Sequence, residues 1–144
     1  MLHKTAWDES YYRLCLSLPM YPSGKLRDTT QLHTARELGE TLLRLAQRAR
    51  APSLFVIAHY ALGVPCVWLG ALPTARLHLE ASLARYTPDQ RCVPVYRMGV
   101  DPGVGCCSCN AMVLWLLGYP AQALARIHEA LALAQELSHL HSLA

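Results

Sequence analysis

Cys106, Cys107 and Cys109 stand close together, and His59, His78 and His128 offer a fourth metal ligand or a general base. Thiolate sulfur is both a nucleophile and a soft metal ligand, so this is where chemistry would be sought first. Zinc sites pair C-x-x-C units, or follow one such unit with H-x-x-x-H. The run Cys106-Cys107-Ser108-Cys109 matches neither spacing. On a helix, residues one and two apart point to different faces, so three thiols converge only if the helix start unwinds. The cluster therefore reads as small core-filling side chains near a helix N-terminus, where the positive pole would lower a thiol pKa. Nucleophilic catalysis also needs a base and an orienting acid in one pocket, and no motif places such groups together. His139 and His141 read as a helix end and not as a ligand pair. A Gly-rich phosphate loop ending in Lys-Ser or Lys-Thr is absent. The expectation is a non-enzyme with no metal and no cofactor.

The elements that position these residues are organised around Leu54 to Pro88, read as two short helices joined at Gly70. Its pattern returns downstream at one constant offset: Gly70, Ala75 and Leu83 become Gly118, Ala123 and Leu131, while Leu69 answers to Leu117 and Leu79 to Ile127. A fainter copy lies upstream, where Ala35 and Leu43 match Ala75 and Leu83. Self-similarity at such periods marks stacked helical hairpins.

Composition agrees. The 144 residues suffice for one domain with a sizeable core. At 53% hydrophobic and 16% charged the chain is richer in apolar groups than an ordinary soluble domain, as befits elements buried on several sides. The formal charge of +3 lacks the dense basic stripe or reading motif of a nucleic-acid binder. No apolar run is long enough to cross a bilayer, and Asp8 and Glu9 interrupt any secretory leader. A cytoplasmic protein with free thiols is expected.

In chain order, the pattern predicts a short helix over 7–18, stopped by Pro19 and Pro22. A clearer one runs from Thr30 to Arg50, with Leu32, Ala35, Leu38, Leu42, Leu45 and Ala49 on one face. Pro52 is expected to end it and Ser53 to cap the next helix, Leu54 to Leu69, which contains Pro65. Pro73 then lies near the first turn of a helix reaching Tyr86. Residues 89–103 form an irregular insertion, in which 93–98 has room for a turn of helix. Asp101-Pro102-Gly103 reads as the start of a helix over 104–117. The last helix runs from Pro120 to Leu137, with Leu124, Ile127, Leu131 and Ala134 on its buried side.

His59-x-x-Leu62-Gly63-x-x-Cys66, then Ala75-x-x-x-Leu79, then Pro88, resembles the tetratricopeptide repeat. His59 and Cys66 stand where that repeat has aromatic residues. The copy carries Cys107, Asn110, Ala111 and Leu114, then Ala123 and Ile127. The phrases ARELGETLLRLAQRA, LARYTPDQ, DPGVGC and LWLLGYPAQALARIHEALALAQELSH are similar to the repeat region of large bacterial adenylate/guanylate cyclase-linked ATPase regulators. Neither catalytic part of such proteins has a counterpart here, and Pro65, Asn110 and the cysteine cluster mark a divergent member or a fragment.

The resemblance implies an all-α fold. About three stacked antiparallel hairpins, at 7–50, 54–88 and 104–138, would form one domain over 1–144 and a short right-handed superhelix. It implies a non-catalytic scaffold for a protein or peptide, bound on the concave face lined by Tyr60, Val64 and Trp68 and by Ser108, Met112 and Trp115. Small residues would let helices approach: Gly63, Gly70 and Ala75 in one hairpin, Ala111, Gly118 and Ala123 in the other. A different class stays open, a regulatory module holding a small apolar effector between hairpins. No nucleic-acid or membrane partner is expected. The apolar circumference of the last helix points to self-association through the C-terminal hairpin.

Overall fold

In the computed structural model, residues 29–87 and 101–142 are described. The expected helix over 7–18 and most of the insertion at 89–103 lie outside them. The described residues form five helices and no strand: α1 (Thr29–Ala49), α2 (Pro52–Trp68), α3 (Leu72–Arg85), α4 (Pro102–Leu116) and α5 (Pro120–Ser142).

α1 is amphipathic and buries Leu32, Ala35, Leu42 and Ala46, at helical spacing, with the last three packed against α2. Pro52 opens α2 instead of closing α1: its fixed φ suits the first helical position, where its missing N–H costs nothing. Ser53 therefore falls inside the first turn, and Ala51 occupies the cap with no side-chain hydrogen bond. α2 is apolar all round because it is covered by α1, α3 and α4. Pro65 stays within it, buried, and its carbonyl accepts from Leu69 N–H at 2.9 Å. Asp101 caps α4 as expected, accepting from Gly103 N–H at 2.8 Å and Val104 N–H at 3.2 Å.

The constant offset of the sequence repeat is visible in the backbone. α2 ends at Trp68 and α4 at Leu116; α3 begins at Leu72 and α5 at Pro120. The turns between them coincide. Leu69 and Leu117 adopt φ −79°, ψ −5° and φ −80°, ψ −6°. Gly70 and Gly118 follow in the left-handed region at φ 79° and 91°, where a side chain would be strained. Ala71 N–H then bonds Cys66 O at 2.9 Å, and Tyr119 N–H bonds Leu114 O at 2.8 Å. This pairing turns the chain back on itself at a helix C-terminus, so α2–α3 and α4–α5 are two copies of one hairpin.

Small residues set the close approaches. A Cβ on Gly63 would stand 2.8 Å from Leu79 Cδ2, so α2 meets α3 over that glycine. A Cβ on Gly105 would collide with the Tyr60 hydroxyl, so α4 meets α2 over this one. Ser82 ties three helices together: its hydroxyl donates to Val56 O at 2.7 Å and accepts from Cys106 Sγ at 3.2 Å.

One position of the copy does not fit its surroundings. Asn110, the repeat counterpart of buried Leu62, is fully buried with neither amide atom hydrogen-bonded. Leaving such groups unpaired costs ~1–3 kcal/mol. Asn110→Leu is expected to raise stability by about that amount in chemical denaturation. Ala75→Leu and Ala123→Leu, at sites 0% and 4% exposed, should each lower it by ~1–3 kcal/mol through overpacking. Unchanged midpoints for both alanine variants would refute the equivalence of the two hairpins.

Candidate interaction surface

The residues singled out for their chemistry separate in space. Cys66, Cys106 and Cys107 are buried and Cys109 is half-buried. Burial pushes all four thiols up: Cys109 to about 11, and Cys106 further still despite its contact with Ser82. The low thiol pKa expected of a helix N-terminus is thus overridden by desolvation, which disfavours the thiolate. The four side chains act as small apolar fillers. Among the described residues, no group of three or more His, Cys, Asp and Glu is placed to hold a metal ion.

The residues assigned to a concave binding face divide differently. Tyr60 and Val64, on α2, are core residues because α4 lies across them. Ser108 is half-buried, with its hydroxyl returned to Val104 O at 2.9 Å. Trp68, Met112 and Trp115 are exposed, at 51%, 38% and 66%. The surface stripe is therefore confined to the C-terminal half of α4 and the end of α2. In the observed repeat Trp115 corresponds to Val67, and Trp68 to Leu116, which is also exposed.

α5 corrects the expected buried side. Leu124, Ile127 and Leu131 are exposed at 59%, 41% and 54%, and Ala134 is exposed too. The face against α4 is instead Ala123 and Ala130, flanked by partly buried Leu133 and Leu137. The reason is position in the stack. Leu79 in α3 is closed in by both α2 and α4, whereas α5, its counterpart, packs chiefly against α4. Apolar periodicity finds both stripes of such a helix but does not say which has a neighbour. No charged residue occurs anywhere in α4. Met112, Trp115 and Leu116 of α4 join Leu124, Ile127 and Leu131 as exposed apolar side chains of one hairpin.

Comparison with protein-family models, with curated proteins and with solved structures returns no match. The functional reading rests on this surface and on the chemistry of the described residues. No helix among them is long and apolar enough to cross a membrane. A cleft of about 220 Å³ between α3, α4 and α5 is lined by Glu80, Gln122, Arg126 and Glu129 beside Leu114 and Ala125. That lining mixes polar and apolar surface, with three ionisable side chains among its six residues.

A contact that periodicity does not signal joins α2 to α3. The Nδ1 atoms of His59 and His78 lie 3.2 Å apart. His59 also stacks on Phe55, and the Arg85 guanidinium sits over that ring at 5.1 Å. Its one hint in the sequence is the hairpin itself: Gly63 packs on Leu79, and the two histidines flank that crossing. Two imidazoles facing through Nδ1 share one proton; a second makes both donors. Burial lowers both pKa values from 6.5, helped at His59 by His78 and Arg85 and at His78 by Arg36, with Glu40 opposing. The unfolded chain thus takes up protons before the folded one. The stability this pair contributes is complete above about 6.5 and is lost as pH falls through that value toward the lower folded pKa. A lower melting temperature is expected at pH 5 than at pH 7.5, with the difference reduced in His59→Gln/His78→Gln. The same pH dependence in parent and variant would exclude the pair as its source.

Proposed function

We propose that the protein is a non-catalytic helical scaffold that binds another protein or a peptide. The observation that carries this reading is α4, a helix without a single charged side chain that presents Met112 and Trp115 to solvent. Large exposed apolar patches on otherwise polar surfaces are characteristic of interaction sites, and tryptophan is among the residues most enriched where binding energy concentrates. The raised pKa values of all four described thiols support a structural role for them over a nucleophilic one.

The finer architecture belongs to the same proposal. Two equivalent hairpins, with α4 packed across both helices of the first, fit a short right-handed stack of the tetratricopeptide kind, related to the repeat region of bacterial cyclase-linked regulators. In such a stack each hairpin contacts only its neighbours.

Selection from a random-peptide display library against the immobilised chain tests the reading. Enriched peptides should lose about ten-fold or more in affinity on Met112→Glu or Trp115→Glu, as expected when a tryptophan-centred contact is removed. They should keep it on Leu77→Glu, an exposed leucine of α3. Failure to enrich any sequence, or equal loss with all three variants, would sink the scaffold reading.

A further inference from the structure

α4 closes one face of the α2–α3 hairpin. Tyr60, Val64, Val67 and Leu79 are buried there with Cys106 and Val113, and Leu83 packs against them. In the repeat the same positions of α4–α5 are Ser108, Met112, Trp115, Ile127 and Leu131. All of these but Ser108 are exposed. The second hairpin thus repeats a face that its twin keeps covered, and no described element covers it.

Two features select the occupant. First, neither α4 nor the Leu124, Ile127, Leu131 stripe carries a charge, so the face can meet an identical one without like-charge repulsion. Second, side-chain size is redistributed relative to the covered face. Tyr60 is replaced by the small Ser108, and Val67 by the large Trp115. Two α4 helices set antiparallel, crossing between residues 111 and 112, bring Trp115 of each opposite Ser108 of the other. The Ser108 hydroxyl already donates to Val104 O, so the indole covers no unpaired polar group there. In a two-fold contact each such pairing occurs twice, which is how a self-complementary patch closes.

We propose that the α4–α5 face is a self-association surface whose occupant is the same face of a second copy, with Trp115 of each seated over Ser108 of the other. This rests on the reading of the face as an interaction surface and names its partner.

Sedimentation equilibrium of the full chain, from micromolar to hundreds of micromolar, tests the proposal. A monomer–dimer equilibrium is expected. Trp115→Ser and Ser108→Trp should each weaken it by about ten-fold or more, with circular dichroism confirming that each variant stays helical. The double exchange S108W/W115S restores knob and hollow and should regain most of the parental affinity, which a merely structural role for either residue would not produce. A parent chain that remains monomeric throughout would overturn the proposal. So would a double exchange no better than the single variants, or oligomers that grow without limit and so report a head-to-tail contact. A monomer that still binds display-selected peptides through Trp115 would also overturn it, assigning the face to another protein and leaving the scaffold reading intact.

Discussion

Tyr60 occupies the space that Gly105 leaves open, and the packing of one hairpin on the next depends on that fit. The ring is 1% exposed although it projects from a helix already flanked on two other sides. Any β-carbon at residue 105 would have to displace it. With the approach fixed there, Val64, Val67 and Leu79 fall against Cys106 and Val113 in one cluster. Ser82 then lies within hydrogen-bond reach of both Val56 and Cys106. A second such fit, Leu79 over Gly63, sets the spacing inside the hairpin. Large side chains against glycines allow tight packing of this kind.

Much of the architecture is legible because it is written twice. Gly70 and Gly118 must sit where they do to end α2 and α4, and the small residues Ala75 and Ala123 must sit beneath their partners. The repeated spacing therefore locates the helix ends closely. Pro52 is harder to place, because a proline both stops one helix and starts another, and only the length of the connection decides. Asp101 is easier, because a carboxylate before proline at a helix start satisfies specific N–H groups.

Burial is less legible than spacing, for a reason that Tyr60 and Leu131 show from opposite directions. Both belong to apolar stripes, yet one is covered and the other open. The difference lies in what packs outside the helix, a property of tertiary order that helical periodicity does not contain. The cysteine cluster is readable as filler from its spacing alone, whereas the depth of its desolvation requires the neighbouring helices. His59 and His78 both carry metal-ligand chemistry as residue types, but their mutual contact follows only when the hairpin is folded about Gly70.

The thiols of α4 turn this packing into something chemical. Thiolates, not thiols, react readily with electrophiles, and in the folded state burial suppresses that form at Cys106, Cys107 and Cys109. Reactivity at these positions is therefore tied to departure of the helices that shield them.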